Sequence, residues 1–280
     1  MIERGREPPI IKTEREIEKM RVSGRMVAEV LAVLKALVKP GTTTGDLNEA
    51  AYAKMKELGG EPSFLNYTAG SKEPYPAVVC ISIDEEIVHG IPGRCHYRGT
   101  VTKDRTLQEG ELVSVDCGVK YDGFHGDSAV TFAVGKVSPE KQKLMDVCRE
   151  SLWAGIRAVK PNAKLSEVAA AIEGSIRQHQ EPYGIVEEYV GHGIGRHLHE
   201  PPQVPNFAKG VKTEYILKKG YVIAIEPMVN MGTRKTQELS DGWTVITRDR
   251  KPSAHFEHTI AVTEAGHEVL TLRADGSATH

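Results

Sequence analysis

Leu112-Val113-Ser114-Val115-Asp116-Cys117-Gly118-Val119-Lys120-Tyr121-Asp122-Gly123-Phe124-His125-Gly126-Asp127-Ser128-Ala129-Val130-Thr131-Phe132-Ala133-Val134 holds two β-branched segments, Leu112 to Val119 and Ser128 to Val134. Asp122-Gly123 between them suits a two-residue hairpin turn, because both central positions of such a turn take φ above zero. If Tyr121 pairs with Phe124, Asp116 faces Ala129 and Asp127 faces Gly118. The two aspartates then become diagonal neighbours on one face, with Cα atoms roughly 7–8 Å apart. Val113, Val115 and Cys117 point the other way. Carboxylates so placed can share metal ions spaced about 3.5–4 Å apart. Two buried acids without a counterion would repel, and one would be protonated. The hairpin alone leaves the alternative open, a solvent-exposed pair of aspartates near a turn.

Working outward, Thr13 followed by Glu16 fits a capping box, and Ile17, Met20, Val27, Leu31 and Leu34 mark one helical face that should stop before Pro40-Gly41. A second helix is predicted from about Asp46 to Leu58, with Leu47, Ala50, Ala51 and Met55 on one side. Strands follow at Val78 to Ile83 and in the hairpin. The second half repeats the order. Ser138-Pro139-Glu140 opens a helix burying Leu144, Val147, Leu152, Ile156 and Val159, and Pro161 ends it. Strand signals return at Tyr221 to Glu226, Trp243 to Thr247, Glu257 to Val262 and His267 to Leu272. Val38-Lys39-Pro40 matches Val159-Lys160-Pro161, with Leu47 and Ala51 answered by Val168 and Ile172. These signals predict an α+β fold of two similar halves that share one sheet and core around a pseudo-two-fold axis.

Composition narrows the function. With 36 basic and 38 acidic residues interspersed, the net charge of −2 supplies no global field to recruit nucleic acid or an acidic membrane. No apolar run is long enough to span a bilayer, and Met1 to Lys19 is too charged for a signal peptide, so the cytoplasm is the expected compartment. Cys80, Cys95, Cys117 and Cys148 have no metal or disulfide spacing and read as reduced structural thiols. The chain carries no HExxH, no phosphate loop and no GxSxG, which disfavours a zincin, a nucleotide hydrolase and a serine hydrolase.

More acids appear in apolar strands. Glu226 ends the run Tyr221 to Ile225, and Glu257 opens the run ending at Val262. A carboxylate at the end of a buried strand needs a partner, although either alone could be a strand-edge charge. Gly191-His192-Gly193-Ile194-Gly195-Arg196-His197-Leu198-His199-Glu200-Pro201-Pro202 adds histidines on a backbone that can approach a site closely. His89, in Ile87-Val88-His89-Gly90-Ile91-Pro92, is a further candidate.

These strings, together with Ile225-Glu226-Pro227-Met228, Asp241-Gly242-Trp243 and Phe256-Glu257-His258-Thr259, resemble the type I methionine aminopeptidases of the pita-bread fold. The likeness runs from about residue 13 to 272 and divides the chain into an arm (1–12), a catalytic domain (13–272) and a tail (273–280). It implies a dinuclear hydrolase that removes the initiator methionine from nascent polypeptide N-termini, preferably before a small, uncharged residue, and acts as a monomer. It also implies one ion held by Asp127, His192, Glu226 and Glu257, and a second held by Asp116 with the bridging Asp127 and Glu257. His89 and His199 would contact substrate around the scissile amide, and Glu226 would shuttle the proton. Tyr67, Tyr75, Cys80, Leu198 and Trp243 would wall a methionine pocket. Asp84, Glu86 and Ser253 match a backbone site for a monovalent cation in some relatives. The donor set of four carboxylates and one imidazole would accept Co, Mn, Fe or Zn.

The chain departs from the compact form of that family in extra residues at Thr68 to Pro74, beside the pocket, and at Gly93 to Glu109. The second stretch carries Arg94, His96, Arg98, Lys103 and Arg105, a basic run that could dock on the ribosome. His255 stands where those relatives often have glutamine. The competing readings are a prolidase or aminopeptidase P, which usually has an extra N-terminal domain for which 12 residues leave no room, and a peptide-binding module of the same fold that has lost its ligands.

Overall fold

The computed structural model describes residues 8–68, 73–208, 215–273 and 275–279. Part of the predicted arm (1–7), most of the Thr68–Pro74 insertion (69–72) and tail residues 274 and 280 lie outside the described residues.

The first helix runs Glu14–Leu37 (α1). Thr13 caps it reciprocally with Glu16, and all five residues of the predicted face are buried. The second, Thr44–Glu57 (α2), begins two residues earlier than predicted. Thr43 and Asp46 form a second capping box there, with the Asp46 carboxylate reaching back to the Thr43 amide. Ser138 caps the third helix, Pro139–Ala158 (α3), and a fourth follows at Leu165–Arg177 (α4).

The hairpin forms in the predicted register. Tyr121 pairs with Phe124 across Asp122-Gly123 (φ 44° and 82°), Asp116 with Ala129 and Gly118 with Asp127. The flanking strands extend to Leu112–Tyr121 and Phe124–Ala133, and Val79–Ile83 pairs along the outer side of the first. Val113, Val115, Cys117 and Val119 enter the main core with Val27, Val30, Leu31 and Leu34 of α1. α1 crosses the hairpin where Gly24 meets Gly126. A Cβ on Gly126 would stand 2.7 Å from the Gly24 amide nitrogen, so a side chain there would push the helix off the sheet.

In the second half, Val222–Ile225 lies between Gly191–Gly193 and His258–Val262. Glu200–Val204 and His267–Val269 are the edges of this five-stranded sheet. The halves repeat more fully than the helix ends indicate. Leu107 to Asp116 and Leu217 to Glu226 match in sequence and in shape. Both open with a fully buried leucine, turn at a glycine with φ +88° (Gly110, Gly220), run an apolar strand and end on an acid. The segment before α2 bridges to Thr106, and the segment before α4 bridges to Ile216.

One expectation is corrected. The halves share a core but not one sheet: the described strands fall into separately bonded sheets. What joins the halves is a seam of hydroxyls and amides. Thr131 Oγ1 donates to the His255 carbonyl and accepts from the His255 amide, both at 2.8 Å, and the Glu257 amide donates to the Ala129 carbonyl at 2.9 Å. Thr259 Oγ1 donates to the Asp127 carbonyl at 2.8 Å and accepts from the Asp127 amide at 3.1 Å. Side chains thus satisfy the edges that a continuous ladder would have paired.

Lys12, assigned by sequence to the arm, belongs to the packed body. Its amide donates to the Gly220 carbonyl, and its buried ammonium lies 2.6 Å from Glu200. In the tail, Thr279 Oγ1 reaches the Ala28 carbonyl on α1. All four cysteines are buried and free of disulfides, as expected. Among the described residues, no helix is long and apolar enough to cross a membrane.

Candidate metal centre

The seam brings the predicted acids together. Asp127 comes from the second hairpin strand, Asp116 from the first, and Glu226 and Glu257 flank the paired residues Ile225 and His258 of the other half. His192 sits in the Gly191–Gly193 strand, where neighbouring backbones leave no space for side chains on either glycine. A Cβ on Gly193 would stand 2.2 Å from the Pro201 carbonyl oxygen, and one on Gly191 would stand 2.3 Å from that of Ala224. Asp127, His192 and Glu257 are buried and offer ligand atoms within 4.8 Å of one another. Asp116 and Glu226 line the same cavity, and His192 Nε2 lies 3.5 Å from Glu226 Oε1.

The electrostatics of the cluster call for cations. Burial raises all four carboxyls above their ordinary range. Asp116 is pushed up to about 7, and for Asp127 and Glu257 the neighbouring acids add to the effect of burial. Asp116 Oδ1, Asp127 Oδ1 and Glu257 Oε1 are buried without a hydrogen-bond partner. Buried acceptors left in this state cost stability unless something positive meets them. Burial lowers His192 to about 4, so its imidazole is neutral at pH 7. Its Nδ1 faces the Gly193 carbonyl at 2.8 Å and must donate, because a carbonyl only accepts. The lone pair is therefore on Nε2, turned toward Glu226 and available to a metal. The residues fit a pair of divalent cations.

The remaining predicted residues surround this cluster. Tyr67, Tyr75, Cys80, His89, Leu198, His199 and Trp243 all line the cavity. Tyr67 Oη and His199 Nδ1 lie 2.5 Å apart, and the His199 ring centroid is 4.3 Å from that of His192. His89 stands edge-on to Tyr189 and Trp243, at 5.6 and 6.0 Å. Tyr75 is fixed by its hydroxyl, which donates to the Gly90 carbonyl at 2.8 Å, and by a T-shaped contact with Trp243.

Sequence reasoning missed Phe64, which forms part of the wall. The available signal was Gly118, opposite Asp127, because a Cβ there would stand 2.7 Å from the Phe64 ring. It also missed Tyr189, which no pattern in the sequence marks.

Two other groups behave differently. Asp84 and Ser253 meet, with the Ser253 amide donating to the Asp84 carbonyl at 2.8 Å, but the Asp84 carboxylate already receives the Lys141 ammonium at 2.6 Å. Glu86 accepts from the Ile83 amide. In the basic stretch, Arg94 contacts Asp46, Glu49 and Asp104, Arg105 contacts Glu86 and Glu111, and Arg98 lies 3.6 Å from Glu73. Three of its four Arg and Lys charges are thus met within the molecule.

The chain is similar to known proteins along most of its length. The profile of metallopeptidase family M24 matches residues 18–264. Methionine aminopeptidase 1 of Bacillus subtilis is 44% identical over 262 residues, covering 94% of this chain and 98% of the relative. The methionine aminopeptidase of Escherichia coli K12 is 43% identical, with 95% and 94% covered. Among solved structures, methionine aminopeptidase from Rickettsia prowazekii superposes with a TM-score of 0.86 at 36% identity, covering 95% of this chain and all of that one.

Proposed function

This chain belongs to metallopeptidase family M24, and from that premise we propose how its own residues carry out the metal-dependent removal of N-terminal methionine. The fold is the pita-bread fold, and the enzyme is a metal-dependent aminopeptidase. The observation that carries the site assignment is the seam cluster, in which four raised carboxyls and a neutral imidazole with its lone pair turned inward converge on one cavity.

One ion is assigned to Asp127, His192, Glu226 and Glu257, and the other to Asp116 with Asp127 and Glu257. Bound there, divalent metal supplies Lewis acidity and a nucleophile drawn from water at neutral pH. Glu226 carries the proton from that water toward the leaving amine. His199 stabilises the developing oxyanion. For its Nε2–H to donate into the cavity, Nδ1 must accept, so Tyr67 Oη–H is the donor in the 2.5 Å contact. His89, held between Tyr189 and Trp243, orients the amide of the second residue. The free α-amino group binds on the Asp116 side.

Tyr75, Cys80, Leu198, Trp243 and Tyr67, with Phe64, form the methionine pocket, where sulfur and aromatic edges suit a thioether. The second residue passes the Tyr67–His199 pair, in keeping with a preference for small, uncharged side chains. The donor chemistry admits Mn, Fe, Co or Zn. A monovalent cation at Asp84, Glu86 and Ser253 is left out of the proposal: the Asp84 carbonyl already accepts from the Ser253 amide, and Asp84 Oδ1 accepts from Lys141 and the Leu112 amide.

The substrates are nascent polypeptide N-termini in the cytoplasm, met by a monomer. Ribosome docking through residues 93–109 is a separate proposal, weakened by the internal pairing of its arginines. Reversing Arg94, Arg98, Lys103 and Arg105 should reduce ribosome co-sedimentation at low salt, and unchanged co-sedimentation would remove the idea. The activity itself is tested by methionine release from Met-Ala-Ser with added Mn, Co or Fe under anaerobic conditions. Cleavage of Xaa-Pro peptides without methionine release would favour the prolidase reading.

A further inference from the structure

The Glu226 carboxylate stands between two imidazoles. His192 Nε2 lies 3.5 Å from Oε1, and His255 Nε2 lies 3.7 Å from Oε2. The mechanism above uses the first contact and gives the second no role. His255 is only 1% exposed, and its Nε2 is a buried nitrogen without a hydrogen-bond partner. The residue is also held rigidly. Its backbone is paired with Met228 on one side and, on the other, both donates to and accepts from Thr131 Oγ1. A ring fixed at the seam, with a buried and unpartnered Nε2 facing a carboxylate oxygen, is placed to act on that carboxylate.

Two tautomers are possible, and chemistry separates them. Once Glu226 is ionised as a metal ligand, a lone pair on His255 Nε2 would face its carboxylate oxygen and be repelled. With a proton on Nε2, the ring donates, and a shift of under about 1 Å brings the pair to ordinary N–H···O distance. We propose that His255 is a positioning residue for the metal centre, whose Nε2–H holds Glu226 Oε2 so that Oε1 and His192 Nε2 are turned to the same ion. The inference rests on the reading of Glu226 and His192 as ligands. It adds that the orientation of the Glu226 carboxylate is imposed from the far side by a residue that touches neither ion nor substrate. Groups that orient a ligand in this way typically account for 10–100-fold in metal affinity.

The test is calorimetric titration of the metal-free enzyme with Mn²⁺, independent of turnover. His255→Leu removes the donor at similar volume and should weaken binding by about 10–100-fold. His255→Gln keeps a neutral side-chain N–H and should bind within about threefold of the parent, the tolerance expected for an orienting hydrogen bond that is retained. If His255→Leu binds as tightly as the parent, the proposal fails. If His255→Gln is as weak as His255→Leu, His255 is a metal ligand and the proposal fails in that direction. Glu226→Gln is the control for the underlying reading. Unchanged affinity there sinks the ligand assignment itself, whereas a loss there with none in His255→Leu sinks only the positioning role. Should His255→Leu not fold, long-range ¹H–¹⁵N spectra of the parent loaded with diamagnetic Zn²⁺, in which Glu226 is an ionised ligand, decide the matter. A proton on His255 Nε2 is expected, and a ring protonated on Nδ1 alone overturns the proposal.

Discussion

Lys12→Met removes the positive member of the most deeply buried ion pair among the described residues. Lys12 Nζ lies 2.6 Å from Glu200 Oε2, with the two side chains 3% and 2% exposed. Methionine roughly preserves the aliphatic stem but leaves the Glu200 carboxylate with the His197 amide at 3.1 Å as its remaining hydrogen-bond donor. Removing one member of a buried pair costs about 3–5 kcal/mol, because the other charge stays desolvated. At about 2 °C per kcal/mol for a chain of this size, the melting temperature should fall by roughly 6–10 °C. Urea titration at pH 7.5 reads the same loss as a lower midpoint with unchanged slope. Glu200 adjoins His199 and pairs across the sheet with Gly193, next to His192, so kcat should fall more than KM rises. The double variant Lys12→Met/Glu200→Gln replaces a stranded charge with a neutral amide and should recover most of the stability. A single variant as stable as the parent, or a double variant no better than the single, would refute the argument that this pair latches the residues ahead of α1 to the histidine loop.

Four further outcomes are expected. Burial lowers His125 to about 4 from an ordinary 6.5, so its contribution is fully present above pH 6.5 and is lost as pH falls toward 4. Urea midpoints between pH 7 and pH 4.5 should therefore drop more steeply for the parent than for His125→Gln, and parallel slopes would contradict this. Metal at 100 times its Kd should stabilise the metal-free enzyme by about 2.7 kcal/mol, an effect that Asp127→Asn should abolish in a thermal-shift assay. Gly193→Ala cannot keep the Pro201 carbonyl where it is, given a 2.2 Å approach, and should lower Mn²⁺ affinity in calorimetry through displacement of His192. Tyr67→Phe removes the donor to His199 Nδ1 and should reduce kcat by about 10–100-fold with little change in KM, as loss of an interaction that matters in the transition state does.

Local signals made much of the molecule legible. The Thr13 and Ser138 caps and the Asp122-Gly123 turn are governed by residues within a few positions of one another, and they placed α1, α3 and the hairpin register correctly. α2 starts two residues ahead of the predicted Asp46 because Asp46 is the capping partner of Thr43, a reciprocal pair that a start at Asp46 leaves out. The hairpin register put Asp116 and Asp127 on one face from spacing alone. Bringing Glu226, Glu257 and His192 to that face depends on the seam, where Thr131, Thr259 and Ser128 satisfy backbone groups across the two halves. No periodicity announces such contacts, so the ligand set was reached through resemblance. The same gap explains the expectation of one shared sheet. The match of Leu107–Asp116 with Leu217–Glu226 was readable in the sequence and would have tied Glu226 to Asp116 without any relative. Phe64, Tyr189 and the Lys12 latch depend on packing between distant segments, which one sequence does not encode locally.

If the seam cluster holds the metal that drives methionine release, bound metal and turnover must rise and fall together. The decisive measurement prepares the metal-free enzyme, titrates Mn²⁺ or Co²⁺ anaerobically, and follows both bound metal and methionine released from Met-Ala-Ser, with Asp116→Ala and Asp127→Ala alongside. The expected result is no release without metal, two ions bound at saturation in the parent, and loss of metal and activity together in Asp127→Ala, the proposed bridging position. Full activity in the metal-free enzyme, or an Asp127→Ala variant that binds two ions and still releases methionine at the parental rate, would contradict it.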